Sequence, residues 1–124
     1  MRLYTKDHTW AVAEGNRVRV GISDFAQSEL GDIAYVDLPA LQKTVERGEV
    51  ACTVDSLKSS SEIYAPVSGT VTEVNAALAS EANAPLVNKD PLGEGWLFVI
   101  EMSDLRDLEL LLTEDQYESY IRGS

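Results

Sequence analysis

Lys58 is the residue whose surroundings point most directly to a chemical role. It lies between an apolar-alternating segment, 50–54, and a short return segment, 62–64, and serines follow it directly. A strand, a turn and a return strand would place its amine at a hairpin tip, within reach of a modifying enzyme. On spacing alone an ordinary exposed lysine is the simpler interpretation, because surface lysines are common. A modification site at Lys58 therefore needs support from the rest of the sequence.

The other reactive side chains favour neither catalysis nor metal binding. The one cysteine, Cys52, falls on the apolar side of a predicted strand, where a thiol acts as a small hydrophobic group. The one histidine, His8, has no serine in a nucleophile-elbow motif to act with, and we expect it at the rim of the core. Zinc-ligand spacings and phosphate-binding glycine motifs do not occur. We therefore expect no metal site and no nucleotide site.

The elements that position these residues are mostly short strands, followed by a helical tail. A hairpin is predicted over residues 10–13 and 17–22, and a helix over 24–30 with Ser23 as N-cap and Gly31 as its stop. Residues 75–95 are expected to be a loop with one helical turn at most. Further strands are predicted over 32–38, 50–54, 62–64, 70–74 and 96–101. Tail helices are predicted over 104–112 and, from a capping box at 113–116, through 121.

Length and charge limit the classes of function. The chain has 124 residues and a net charge of −11, which indicates one domain over residues 1–124, with a β body to about 102 and helices over about 103–122. The negative charge disfavours nucleic acids and anionic lipids and would suit docking to a basic partner. The longest apolar stretch is far shorter than the roughly 20 residues that span a bilayer. We expect a monomer that binds neither nucleic acid nor membrane.

Motifs along nearly the whole chain resemble the glycine cleavage H-protein family, whose members carry lipoate. The central block VDSLK ends at Lys58 and leads into SEIYAPVSG, which ends at Gly69. The tail matches through Leu111, Leu112 and Tyr117. The other matching segments are YTKDHTW, VGISDFAQ, LGDIAYVDLP, EVN, LVNKDP and GEGWL, in that order.

The resemblance implies a mainly β fold, a flattened barrel or sandwich of two antiparallel sheets, as in the hybrid barrel of lipoyl and biotinyl domains. A short helix near 24–30 and a helical C-terminal tail complete it. Lipoate would be joined to Lys58 by an amide. Asp55, Glu62 and Gly69 would help to present that lysine for lipoylation, although Asp55 stands where the family usually has glutamate.

Two further departures from the family pattern concern the loaded arm and one turn. Thr9 stands where the family has a glutamate that helps to hold the loaded amine in a cleft, and Glu29 is the candidate to replace that carboxylate. Gln42 stands where the family commonly has a glycine, so we expect a turn with positive φ to be rebuilt or absent.

The function implied by the resemblance is that of a carrier without catalytic activity. Its arm would take an aminomethyl group from glycine decarboxylase (P protein) to aminomethyltransferase (T protein), and electrons to dihydrolipoyl dehydrogenase (L protein). A lipoylating enzyme would load it. The location would be the cytoplasm of a bacterium, or the mitochondrial matrix after removal of a transit peptide.

Two alternatives stay open at this point: a lipoate donor to other lipoyl-dependent enzymes, and an unmodified interaction module. A biotin carrier is disfavoured because Leu57 and Ser59, rather than methionines, flank the lysine.

Overall fold

The strands form two antiparallel sheets in the computed structural model, which describes residues 2–123. Within those residues one sheet has six strands in the order β1-β2-β3-β9-β8-β5 and the other has three in the order β4-β6-β7. No strand pairing joins the two sheets there, so the predicted two-sheet fold is present without closure into a barrel. The strands are β1 Arg2–Tyr4, β2 Thr9–Glu14, β3 Arg17–Ile22, β4 Ile33–Asp37, β5 Thr44–Val45, β6 Val50–Ser56, β7 Ser60–Tyr64, β8 Gly69–Val74 and β9 Phe98–Met102.

The main core is built from alternate residues of the strands in both sheets. Val20 of β3 and Val54 of β6 are completely buried, as are Val71 and Ile100 of β8 and β9. Because successive side chains of a strand point to opposite faces, the polar residues between them face outwards. The alternation read from the sequence thus determines which faces of the sheets meet.

A second, smaller cluster covers the outer face of the six-stranded sheet. Trp10 lies across Gly21, where a Cβ atom would come 2.5 Å from the indole ring. The Trp10 Nε1 donates a hydrogen bond of 2.9 Å to the carbonyl of Pro91. Tyr4 and Tyr117 stack with ring centroids 4.3 Å apart, which fixes the C-terminal helix to β1.

The helices follow the predicted start and stop signals closely. Helix α1, Asp24–Leu30, begins at Ser23, whose side chain accepts from the Ala26 N–H, and it ends at Gly31 with φ 81°. Helix α3, Glu114–Gly123, has the predicted capping box: the Gln116 N–H donates to Thr113 Oγ1 and the Thr113 N–H donates to Gln116 Oε1. The segment predicted as a helix over 104–112 is a shorter 3₁₀ helix, Leu105–Leu110.

The long connection after β8 is more helical than the sequence predicted. It contains two 3₁₀ helices, Ala76–Ala79 and Glu81–Asn83, and a short helix α2, Leu86–Lys89. Buried Asn75 closes this segment, because its Nδ2 donates bonds of 2.8 Å to the carbonyls of both Glu94 and Trp96. A side-chain clamp between distant residues thus gives the segment structure that turn signals alone did not predict.

Gln42 keeps the turn that was expected to be rebuilt or absent. Its φ is 68°, in the left-handed region, and its N–H donates a bond of 2.7 Å to the Val71 carbonyl. A non-glycine residue in this region costs roughly 1–2 kcal/mol, which the tertiary hydrogen bond offsets in part. The expectation was wrong because the bond to β8 determines this turn more strongly than the local preference.

Candidate functional site

Lys58 lies at the tip of the β6–β7 hairpin, as the sequence predicted. The Ser56 N–H donates to the Ser59 carbonyl at 2.8 Å, which closes a tight turn with Leu57 and Lys58 at its centre. The Ser56 hydroxyl accepts from the N–H groups of Ser59 and Lys58 at 3.1 and 3.3 Å. Neither central residue has a positive φ, so the turn needs no glycine. The serine hydroxyl holds the tip in shape.

The amine of Lys58 is accessible and makes no ion pair with any of the described residues 2–123. Lys58 is exposed, and the neighbouring Leu57 side chain is 78% exposed. Within residues 2–123 the ion pairs join Arg106 to Asp104 and Arg122 to Glu118. Acylation of the Lys58 amine would therefore break no charge pair in the described part of the chain.

Asp55 and Glu62 lie on one face of this hairpin. Strand register places Asp55 opposite Ser60 and Glu62 opposite Thr53. Alternate residues of a strand share a face, so both carboxylates project from the same side of the sheet. The Ser60 hydroxyl donates a short hydrogen bond to Asp55, and Glu62 is exposed. Two of the predicted presentation residues thus lie on the hairpin whose tip carries Lys58.

Gly69 lies elsewhere, in β8 of the six-stranded sheet. It pairs with Met102 of β9, and a Cβ atom at this position would lie 2.0 Å from the Glu101 carbonyl oxygen. No real side chain fits against backbone at that distance, so the packing of two strands requires glycine here. The signal for this requirement is the strand pairing, which the sequence alone does not reveal.

The two residues predicted to line an arm cleft have opposite environments. The Thr9 side chain is buried, and its Oγ1 has no hydrogen-bond partner among the described residues. Glu29 is exposed on α1, two residues before Gly31. Thr9 therefore belongs to the interior in this conformation, whereas the Glu29 carboxylate is available at the surface.

His8 connects α1 to the C-terminal helix. Its Nδ1 lies 2.7 Å from the Tyr117 hydroxyl, which in turn lies 2.7 Å from Ser23 Oγ, the N-cap atom of α1. Burial lowers the pKa of the His8 imidazole, and the negative charges of Asp7 and Glu29 partly oppose this shift. This polar cluster fixes the start of the helix whose other end approaches Lys58.

The C-terminal end of α1 supports the Lys58 side chain. A Cβ atom on Gly31 would lie 3.4 Å from Lys58 Cε, so the alkyl chain of the lysine rests against this glycine. Next to it, the Leu57 N–H donates a bond of 3.0 Å to the Asp32 carbonyl. Sequence reasoning assigned Gly31 only to helix termination and did not predict its contact with the lysine.

The remaining reactive groups offer no second site. Burial raises the pKa of the Cys52 thiol to about 12, so the thiol stays protonated and unreactive at neutral pH. No group of three or more His, Cys, Asp or Glu side chains within residues 2–123 is arranged to hold a metal ion. None of the helices in that part of the chain is long and apolar enough to cross a membrane.

Comparisons with known proteins agree across almost the full length. A family model described as glycine cleavage H-protein matches residues 2–124. The chain is 49% identical over 122 residues to a glycine cleavage system H protein of Thermus thermophilus, covering 98% of this chain and 94% of that one. The corresponding protein of Thermotoga maritima is 47% identical over 120 residues, 97% of this chain and 95% of that one. A crystal structure of a glycine cleavage system H protein from Mycobacterium marinum superposes with a TM-score of 0.85 at 37% identity, covering 99% of this chain and 97% of that chain.

Proposed function

The chain belongs to the glycine cleavage H-protein family, and we propose that Lys58 is its lipoyl attachment site. Its function is that of a lipoyl carrier of the glycine cleavage system, without catalytic activity of its own. The observation that carries the assignment of Lys58 is its exposed amine, which forms no ion pair with the described residues, at the tip of a tight hairpin. We propose further that residues 1–124 act as one carrier domain.

The residues around Lys58 fit a lipoyl amide. The lysine charge, lost on acylation, takes part in no ion pair within residues 2–123, and the small serines that follow the lysine leave space for an enzyme to approach. When attached, the lipoyl group supplies a dithiolane on a long, flexible arm. A fixed hairpin with a flexible arm raises the effective concentration of the arm at each partner's site. Ser56 supplies the fixed part by holding the turn.

We assign Asp55 and Glu62 to presentation of the lysine. Their carboxylates share one face of the hairpin and would meet basic groups of a lipoylating enzyme, which steers encounter and suppresses wrong partners. Gly69 supports presentation indirectly, because the pairing of β8 with β9 depends on it.

For the loaded arm, Glu29 is a better candidate contact than Thr9. Glu29 is exposed on α1 and lies two residues before the glycine that supports Lys58, whereas Thr9 is buried. A charged amine on the arm would need an anionic partner when it leaves water. The Thr9 hydroxyl is neutral and stays a secondary candidate for that cleft.

Membership in this system implies its other components as partners. We propose glycine decarboxylase, aminomethyltransferase and dihydrolipoyl dehydrogenase as the enzymes that the arm visits, and a lipoylating enzyme that attaches lipoate. The bacterial relatives favour action in the cytoplasm of a bacterium.

Mass mapping of the chain's four lysines tests the attachment site. Protein coexpressed with a lipoylating enzyme is expected to gain one lipoyl group on the peptide that contains Lys58. Lys58→Arg should remain unmodified, and Lys89→Arg, the matched control, should be modified as fully as the unaltered chain. A lipoyl group retained in Lys58→Arg, or found on Lys6, Lys43 or Lys89, would overturn the assignment.

A further inference from the structure

Asn88 makes more hydrogen bonds through its side chain than its place in a four-residue helix requires. It lies in α2 and is half-buried. Its Oδ1 accepts from the Ile33 N–H at 2.8 Å. Its Nδ2 donates to the Gly31 carbonyl at 2.8 Å and to Gln27 Oε1 at 2.9 Å. One amide group thus satisfies both ends of the segment between α1 and β4.

The segment held by Asn88 is the one that supports the hairpin tip. Gly31 lies beneath the alkyl chain of Lys58, and the carbonyl of Asp32 accepts the N–H of Leu57, the residue before the lysine. The pairing of β4 with β6 reaches Ile33 and Ser56, so the bond from Leu57 extends the ladder into the turn itself. Asn88 therefore contacts the backbone on both sides of the acceptor that anchors the tip.

We propose that Asn88 is a positioning residue for lipoylation of Lys58, although it lies 30 positions away in sequence and its three side-chain hydrogen bonds go to Ile33, Gly31 and Gln27. By fixing Gly31 and Ile33, it fixes the Asp32 carbonyl between them, which holds Leu57 and with it the lysine backbone. This inference rests on the proposed attachment of lipoate at Lys58. Its structural half, that Asn88 holds the hairpin tip in place, is testable without any lipoate.

Loss of this support should lower the fraction of molecules whose hairpin tip has the conformation that the enzyme binds. The overall fold should stay the same. If the tip is in the binding-competent conformation for only a fraction of the time, the apparent affinity of an enzyme for it falls by that fraction. Once the enzyme is bound, the same lysine reacts in the same active site. The expected signature is a raised KM for the carrier protein with little change in kcat.

Amide hydrogen exchange of the unmodified protein tests the structural half. In Asn88→Ala the Leu57 amide should exchange at least about tenfold faster, while amides of β8 and β9 keep the protection set by global stability. Asn88→Asp keeps the side-chain volume and an acceptor for Ile33 but loses both donated bonds, so it should show the same change without a cavity. Gln116→Ala is the matched control, because it removes an amide side chain that bonds to backbone at the start of α3 and not at Gly31 or Ile33.

Steady-state lipoylation of the same proteins, with lipoic acid, ATP and a lipoate ligase, tests the functional half. We expect both Asn88 variants to raise the KM for the carrier about fivefold or more and to leave kcat within about twofold. Gln116→Ala should keep the original KM, and so should Gln27→Ala, which removes only one of the three Asn88 contacts.

The results separate failure of this inference from failure of the attachment site. If the unaltered chain is lipoylated at Lys58 but the Asn88 variants have unchanged KM and unchanged Leu57 exchange, the positioning role is wrong. If KM rises equally in Gln116→Ala, the effect is general destabilisation and the inference is also wrong. A chain that is never modified at Lys58 would instead overturn the proposed function, whatever the exchange data give.

Discussion

At the scale of single residues, a close approach between two parts of the chain determines whether a substitution is tolerated. The clearest case is Gly69, whose absent side chain makes room for the Glu101 carbonyl. We expect Gly69→Ala to lower the free energy of unfolding by about 3 kcal/mol or more, because backbone cannot move aside as a side chain can. Urea unfolding measures this, with Gly123→Ala, which meets nothing within 4 Å, as the control. Unchanged stability combined with slower lipoylation would show instead that Gly69 acts only in presentation.

The Ser56 hydroxyl gives a second prediction at this scale. In Ser56→Ala the N–H groups of Lys58 and Ser59 lose their side-chain acceptor, so their amide exchange should become faster. The group is solvent-accessible, so stability should fall by only about 0.5–1.5 kcal/mol. Ser60→Ala, which removes a bond to Asp55 instead, is the control and should leave the Lys58 amide unchanged. Equal exchange in both variants would refute the role of Ser56.

At the scale of elements, the cluster of His8, Tyr117 and Ser23 predicts a pH dependence of stability. Burial lowers the pKa of His8 in the folded protein, so protonation favours the unfolded chain. Stability is therefore full above the unfolded pKa of about 6.5 and is lost as the pH falls below it towards the folded value. His8→Asn should remove this loss because asparagine does not titrate, and asparagine also tolerates the φ of 68° found here. Urea midpoints measured between pH 8 and pH 5.5 test this, and an equal slope in both proteins would contradict it.

The elements also show what could be predicted from sequence and what could not. Helix α1 and the capping box of α3 were predicted because their signals lie within a few residues of each other. Strands β1 and β5 were not predicted, since they have only three and two residues and exist through their partners. The location of Lys58 followed from local spacing and resemblance. The support that Asn88, Gly31 and Ser56 give it depends on tertiary contacts and hydrogen-bond geometry that no local pattern encodes.

At the scale of the whole molecule, few of the charged side chains within residues 2–123 form ion pairs. The net charge is −11, and two exposed ion pairs join arginines to carboxylates within residues 2–123. Self-repulsion of this kind is screened by salt, because the Debye length is about 3 Å at 1 M. We expect the thermal midpoint to rise as NaCl is increased at pH 7.5, and to rise less at pH 5, where more carboxylates are protonated. A midpoint that falls with salt at pH 7.5 would contradict this view of the surface.

Lys58 forms no ion pair within residues 2–123, and this has a consequence for the order of folding and modification. The β6–β7 hairpin is already formed in the unmodified chain, and the proposed acylation would add one unit to the negative charge but remove no ion pair within residues 2–123. Under the proposed attachment at Lys58, the chain would fold first and be loaded afterwards, and folding would not have to wait for the supply of lipoate. A cell that lacks lipoate for a time would accumulate folded, unloaded carrier that is ready for use as soon as lipoate returns.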